Sequence, residues 1–340
     1  ASNLFFLKGK EQVKADKVIA GDIGAFTKLD DLSTGDTLSG EDNKIEYKKI
    51  KYPKPVLFYA IKAVSKNDED KISEALQKLI EEDPTFADER NVETHQQILS
   101  GLGNMQLEVI MDKLRDNYGV NTEVVDYKIP YRETIKGKSD VQGKHKKQSG
   151  GAGQYGDVFI RFEPSDEEFV FDEEVFGGAV PKNYFPAVEK GLEESLAEGP
   201  LAGFKVTGIR ATLYDGSYHP VDSNEQAFKT AAKLAFKKGI EEASPILLEP
   251  VMKLEIKVPE ANMGDVMGDM NKRRGKILGM EPQEDGSQII LAEAPLAEVL
   301  NYAIDLRSQT SARGSFSMEF ERYDEVPKEI TQRVIADRKE

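Results

Sequence analysis

The stretch "VMKLEIKVPEANMGDVMGDMNKRRGKILGMEPQEDGSQIILAE", residues 251–293, is where the fold becomes legible. "VMKLEIKV" alternates in the manner of a half-buried strand. "NMGDVMGDMNKRRG" places Met263, Val266, Met267 and Met270 at offsets of 3, 4 and 7, one face of a helix. "ILGMEPQEDGSQIILAE" is a hairpin turning at Asp285-Gly286. A second helix, "APLAEVLNYAIDLRSQTSA" (294–312), and a last strand, "GSFSMEFERY" (314–323), complete the order β-α-β-β-α-β, a ferredoxin-like unit. A terminal helix, "PKEITQRVIADRKE" (327–340), starts with Pro327 at a favourable first-turn position.

The same order is found earlier in the chain. "VLFYAIKAV" (56–64) reads as a strand. "NDEDKISEALQKLIEED" (67–83) reads as a helix capped by Asn67 or Asp68, with Ile72, Ala75, Leu76 and Leu79 on one face and a stop at Asp83-Pro84. A hairpin ends in "HQQILSG"; then "NMQLEVIMDKLRDNYG" (104–119) aligns Leu107, Ile110, Met111 and Leu114, with Gly119 as C-terminal cap, before the strand "VNTEVV". Between the two units lie long strands, "YGDVFIRFEP" and "FKVTGIRATLYDG", and two helices, "NYFPAVEKGLEESLAEG" and "NEQAFKTAAKLAFKKGIEEA", the latter with Ser223 placed to cap it. The first residues alternate short apolar runs with turns such as "AGDIG" and "STGDTL", a partial β-barrel with too few strands to close. The chain is thus an α+β multidomain protein: 1–53 end of a barrel, 54–131 ferredoxin-like, 132–249 an α/β domain of another kind, and 250–340 ferredoxin-like plus a helix.

Composition sets limits. The 340 residues carry no cysteine, which excludes disulfides and thiolate metal sites. No apolar run is long enough to span a bilayer and no targeting motif is present, so the reading is a cytoplasmic protein without membrane association. A net charge of −15 argues against a general nucleic-acid binder, but "GKHKK" (143–147) and "NKRRGK" (271–276) are basic points on an acidic body, while "FEPSDEEFVFDEE" (162–174) is acidic.

Three motifs invite a functional reading. "QSGGAGQYG" (148–156) is neither a P-loop nor a dinucleotide fingerprint, because no Gly-Lys-Ser/Thr follows and a strand, not a helix, comes next. A hairpin end is the plain reading; with "KHKK", Gln154 and Tyr155 beside it, contact with RNA backbone or base edges is the functional one. His219, in "YDGSYHPVDSNEQAF" (214–228), is one of three histidines. Asp215 or Asp222 could orient it as a base, simple exposure would also explain it, and imidazole can stack on or hydrogen-bond a nucleobase. Arg273 and Arg274 end a helix, where cations offset the dipole or reach a phosphate.

"GKHKKQSGGAGQYGDVFIRFEP", "DGSYHPVDSNEQAFKTAAKLAFKKG", "LLEPVMKLEIKVPEANMGDVMGDMNKRRGKILGME" and "PLAEVLNYAIDLRSQTSARGSFSMEFERYDEVP" resemble the C-terminal half of bacterial elongation factor G, over essentially the whole chain. The resemblance implies the end of the second domain, then the third, fourth and fifth, without the GTP-binding domain. This fragment would hold no cofactor and no GTPase or metal site; GTP and Mg would belong to the N-terminal domain of a parent that hydrolyses GTP. The fourth domain would have a ribosomal-protein-S5 domain-2-like fold and form an arm imitating tRNA. Its tip would enter the small-subunit decoding centre and touch the tRNA–mRNA duplex. The implied tip residues are Gln148, Ser149, Gly150, Gly151, Gly153, Gln154, Tyr155, Ser217, Tyr218 and His219, with no catalytic group among them. Candidate rRNA contacts are Lys144, Lys146, Lys147, Lys272, Arg273, Arg274 and Arg313, some on the large subunit. The implied partners are the ribosome, tRNA–mRNA and the protein's own GTP-binding domain, the chain itself being a monomer. Ala152, Asp157 and Pro220 depart from common family residues, and "GNMQLE" from a commoner pattern; losing a tip arginine at Ala152 and gaining Asp157 are expected to weaken phosphate contacts. These departures leave open a paralogue acting in recycling, stalling relief or drug protection.

Overall fold

The computed structural model describes residues 4–27, 32–147 and 153–338. Contacts divide the chain into two compact units. One holds the described residues up to Pro55 with Lys62–Asp88 and Leu99–Glu123; the other holds Val56–Ile61, Glu89–Ile98 and the chain from Val124 onward.

At the start, β1 (Leu4–Lys8) pairs antiparallel with both β2 (Glu11–Lys14) and β3 (Ala25–Phe26), a three-stranded sheet that does not close among the described residues. Next come β4 (Leu57–Ala63), α1 (Lys66–Glu82), β5 (Ala87–Arg90), β6 (Gln97–Gly101), α2 (Asn104–Tyr118) and β7 (Thr122–Val125). The sheet order is β5-β6-β4-β7, as β-α-β-β-α-β requires. Helix α1 buries Ile72, Ala75, Leu76 and Leu79, the face its periodicity predicts. Its N-cap is Ser65 rather than Asn67 or Asp68. The Ser65 hydroxyl accepts from Asp68 N–H and donates to the Asp68 carboxylate at 2.8 Å, so Asp68 serves at the third helical position. Gly119 closes α2 in the left-handed region (φ 65°). Gln106, inside the unusual "GNMQLE", accepts from Leu102 N–H at 2.7 Å and donates to Thr85 and Asp83 at 2.6 and 3.0 Å, tying helix start to preceding turn.

The middle region contains β8 (Arg132–Ile135), β9 (Ser139–Lys147), β10 (Gln154–Pro164), β11 (Phe169–Glu173), α3 (Phe185–Ser195), β12 (Lys205–Val206), β13 (Ile209–Ser217) and α4 (Glu225–Glu242). The expected single strand over 204–216 is two: β12 joins β8, whereas β13 joins the four-stranded sheet β11-β13-β10-β9. Helix α4 buries Ala227, Phe228, Ala231, Ala232, Ala235, Phe236, Gly239 and Ile240 against that sheet. The approach is close because the sequence is small where the backbones meet. A Cβ on Gly143 would lie 2.1 Å from the Ala231 carbonyl oxygen, and one on Gly156 would lie 2.5 Å from that of Ala227. Fully buried Phe162 and Phe228 fill the space beyond. Burial of side chains that size is worth about 1.5–3 kcal/mol each.

The last region runs β14 (Pro245–Pro259), α5 (Met263–Lys272), β15 (Lys276–Pro282), β16 (Ser287–Pro295), α6 (Leu296–Val299), α7 (Tyr302–Gln309), β17 (Ser315–Glu325) and α8 (Lys328–Asp337). Strands β17-β14-β16-β15 repeat the ferredoxin-like order. The expected single helix over 294–312 is α6 and α7, broken at Leu300-Asn301. Pro327 is the N-cap of α8 rather than its first residue. Strand β14 runs through position 249/250: its first residues pair with β8, its later ones with β16, so β8 and β12 extend one six-stranded sheet.

Candidate nucleic-acid interface at the arm tip

Strand pairing brings the two motifs singled out in the sequence together. In the β9–β10 hairpin, Gln154 faces Lys147, Tyr155 faces Lys146, Gly156 faces His145 and Asp157 faces Lys144. On its other edge β10 pairs with β13, where Asp157 faces Ser217. The chain leaving β13 therefore turns beside the hairpin end before entering α4. Four of the implied tip residues, Gln148, Ser149, Gly150 and Gly151, lie outside the described residues, as does Ala152. Gly153, Gln154, Tyr155, Ser217, Tyr218 and His219 are described and are brought to one end of the sheet.

The two loops are locked by main-chain and hydroxyl hydrogen bonds. Tyr155 N–H donates to the Asp222 carbonyl at 2.8 Å, and the Ser223 hydroxyl donates to the Tyr155 carbonyl at 2.8 Å. Ser223 Oγ also accepts from His219 N–H at 2.9 Å. Ser223 is thus not the helix cap the sequence suggested. Asn224 caps α4, its side chain accepting from Ala227 N–H at 2.8 Å. Gly153 is needed at its place, since a Cβ there would sit 2.3 Å from Asp222 Oδ1. Tyr155 and Ser217 share a hydroxyl–hydroxyl hydrogen bond of 2.7 Å.

His219 is a turn acceptor with an exposed ring. Its Nδ1 accepts from Asp222 N–H at 3.1 Å and Val221 N–H at 3.3 Å, so the proton of the neutral ring sits on Nε2. The side chain is 43% exposed and lies 6.3 Å from the Tyr155 ring, centroid to centroid. Asp222, whose carboxylate is 3.3 Å from Nδ1, belongs to the same turn. No Ser, Thr or Cys nucleophile is hydrogen-bonded to His219 Nε2 among the described residues, and no group of metal-ligating side chains is found there either.

Asp157 is buried, at 4% exposure. Its carboxylate accepts from Gln142 Nε2 and Ser217 Oγ, both at 2.7 Å, with Lys144 Nζ at 3.6 Å. The negative charge of Asp157 holds the Lys144 ammonium above its ordinary pKa, helped by Tyr155, whose ring lies 5.5 Å beneath it. Lys146 and Lys147 are exposed. Lower on the same sheet face, Tyr214 donates to Asp140 at 2.5 Å. Burial, then that hydrogen bond, pushes its pKa up to about 12.

The distal basic motif divides. Lys272 is exposed. Arg273 donates to Asp269 and Asp305, both at 2.7 Å, and to the Glu298 carbonyl at 2.8 Å, beside the buried Tyr302 ring. Arg274, at φ 57°, forms a fork on Glu249 (2.6 and 2.9 Å) and reaches Glu298 at 2.9 Å. Hydrogen bonding to Glu249 holds its guanidinium above the usual arginine range. Both arginines are therefore engaged by carboxylates of the same chain, a structural role beside the phosphate contact expected of them. Arg313 is exposed, its Nε donating to the Thr310 carbonyl at 3.3 Å.

Family models match in the same order as these domains. The model described as Elongation Factor G, domain III matches residues 52–126, that for elongation factor G, domain IV matches 127–244, and that for the elongation factor G C-terminus matches 246–334. The chain belongs to the elongation factor G family. The crystal structure of a protein from Thermus thermophilus superposes with a TM-score of 0.84 at 41% identity, over 99% of this chain and 51% of that one. This chain thus spans about half the length of that relative. In family terms the tip described above is the end of domain IV, and the Arg273–Arg274 cluster lies in the C-terminal domain. Among the described residues no helix is long and apolar enough to cross a membrane.

Sequence reasoning did not foresee the roles by which Asp157, Ser223, Asp222 and His145 hold the tip together. Some signal was present. Gly143 and Gly156 face α4 from the hairpin, and alternation from Gly156 already puts Asp157 on the face of Lys144 and Ser217.

Proposed function

We propose that this chain is the ribosome-facing half of a translation elongation GTPase, acting in movement of tRNA and mRNA after peptide transfer. The observation that carries the reading is the locked pair of loops at the end of domain IV. It presents an imidazole, a carboxamide and a phenol with exposed lysines behind them and, among the described residues, no catalytic constellation. The tip docks at the decoding centre and contacts the tRNA–mRNA duplex; Lys144, Lys146 and Lys147 approach RNA phosphates, and Lys272 and Arg313 approach rRNA of the large subunit. GTP and Mg belong to an N-terminal domain of the parent, which couples hydrolysis to reorientation of the arm. The protein works in the cytoplasm as a monomer.

Toeprinting tests this. The full-length parent and its His219→Ala variant are added with GTP to pretranslocation ribosomes. A one-codon advance that slows about tenfold or more in the variant supports translocation through the tip. Ribosome binding and GTP hydrolysis with a stationary toeprint would instead identify a paralogue in recycling, stalling relief or drug protection, with Ala152 and Pro220 as the residues to revert first.

A further inference from the structure

Gln154 and His219 are each held by an acceptor atom. His219 Nδ1 is occupied by two backbone N–H groups, which leaves Nε2–H as its donor. Gln154 is held in a comparable way. Its Oε1 lies 2.8 Å from His145 Nε2, and because a carboxamide oxygen can only accept, the imidazole donates. The O and N of an amide point in different directions, so this hydrogen bond turns the NH2 end of Gln154 away from His145. His145 is well placed to do so: it stands opposite Gly156 in the hairpin, diagonal to Gln154, on a half-buried stretch of β9 that packs against α4.

We infer that His145 is a positioning residue that fixes the carboxamide of Gln154 so that Gln154 and His219 each present an N–H donor to hydrogen-bond acceptors on the nucleic-acid partner. Phosphate and sugar oxygens and the acceptors on base edges are common to every codon. Two fixed N–H donors therefore meet acceptors that every base-paired RNA carries, whereas a freely flipping carboxamide would present its oxygen as often as its NH2.

The inference rests on the proposed function, and the experiment separates the two. Ribosome affinity of the full-length parent is measured for wild type, His145→Phe, His145→Gln and Gln154→Glu. Nitrogen-15 spectra of the chain follow the Gln154 side-chain NH2. His145→Phe keeps a ring but has no donor; His145→Gln restores an N–H at similar reach; Gln154→Glu offers acceptors alone. Loss of one such hydrogen bond is worth about tenfold in affinity. The expected result is about tenfold weaker binding for His145→Phe, recovery to within about twofold for His145→Gln, and at least tenfold loss for Gln154→Glu. The Gln154 NH2 signals should move toward those of an unrestrained carboxamide only in His145→Phe. If Gln154→Glu weakens binding but His145→Phe does not, or if His145→Gln is as weak as His145→Phe, positioning is overturned while the tip reading stands. If Gln154→Glu binds as wild type does, the tip reading falls and this inference with it.

Discussion

Replacing Arg274 with alanine separates two physical roles that the motif "NKRRGK" could carry. The guanidinium makes three hydrogen bonds of 2.6–2.9 Å to Glu249 and Glu298. The Glu249 side chain is 4% exposed and that of Arg274 is 27% exposed. Removing the arginine strands a buried carboxylate, which costs about 3–5 kcal/mol when the pair is fully enclosed. Partial exposure of Arg274 lets water reach the vacated side, so about 3 kcal/mol is expected. Alanine keeps the Cβ and hence the backbone strain of a residue at φ 57°, so the difference isolates the ion pair. In urea, 3 kcal/mol lowers the unfolding midpoint by about 1 M or more, and hydrogen exchange should accelerate in β14 and at the end of α5. Salt dependence of ribosome binding by the folded variant should be unchanged. Lys272→Ala, on the exposed neighbour, should do the reverse: no shift in midpoint, and a salt slope smaller by about one. An Arg274→Ala protein of wild-type stability whose salt slope drops by about one would refute the assignment, because Arg274 would then be neutralising a phosphate rather than Glu249.

Other consequences can be checked on the chain itself. Gly156→Ala drives a methyl to 2.5 Å from the Ala227 carbonyl and 2.8 Å from Phe228 N, backbone atoms that cannot yield locally; a loss of about 2–4 kcal/mol in thermal or urea unfolding is expected, and wild-type stability would show that α4 is not seated so closely. Glu133, fully buried, accepts from the N–H groups of Leu201, Ala202 and Phe204 at 2.8–3.0 Å across its two oxygens, so Glu133→Gln, which keeps one acceptor and turns an NH2 toward the donors the other oxygen served, should lower stability by about 2 kcal/mol and speed exchange of the amides left without an acceptor. Tyr214 is one of the tyrosines whose raised pKa contributes to stability at alkaline pH. Its folded pKa is raised to about 12, so its contribution is fully present below the ordinary tyrosine value of about 10 and is lost as pH rises through 12. Titrating tyrosinate absorbance in wild type and Asp140→Asn should show one ionisation moving toward neutral pH; identical curves would remove the Tyr214–Asp140 hydrogen bond from the account.

The parts of this molecule that were legible in sequence are those set by local periodicity. Leu107, Ile110 and Leu114 share a helix face because of their spacing alone, and they are buried as that spacing requires. The repeated β-α-β-β-α-β order gave both ferredoxin-like units for the same reason. Errors arose where a side chain chose between partners that sequence distance cannot rank. Ser65 and Ser223 both had the chemistry of an N-cap. Ser65 took that role because its own helix was the nearest donor, whereas Ser223 was drawn off by Tyr155, a residue on another strand. Arg273 and Arg274 look in sequence like a free basic end. Glu249, Glu298 and Asp305, which engage them, come from β14, α6 and α7, and only the folded sheet brings those acids within 3 Å.

Asp157 shows why charge counting misleads most at the tip. Counted as a residue of a hairpin end, it subtracts from the positive charge available to RNA. In the fold it faces Ser217 and Lys144 across both neighbouring strands and is shielded from solvent, so its charge orients donors instead of repelling phosphate. The exposed Lys146 and Lys147 keep their charge, and Lys144 is steered by Asp157 and Tyr155 without being buried. One acidic residue in a basic hairpin therefore need not reduce the charge the tip presents. Asp157→Asn tests the point directly. If Asp157 repelled RNA, neutralising it would tighten ribosome binding; if it organises the tip, the variant leaves a carboxamide NH2 facing Gln142 Nε2 or Ser217, both sites already needed, and binding weakens severalfold. Tighter binding, with the hairpin amides still protected from exchange, would put Asp157 back among the residues that oppose the partner.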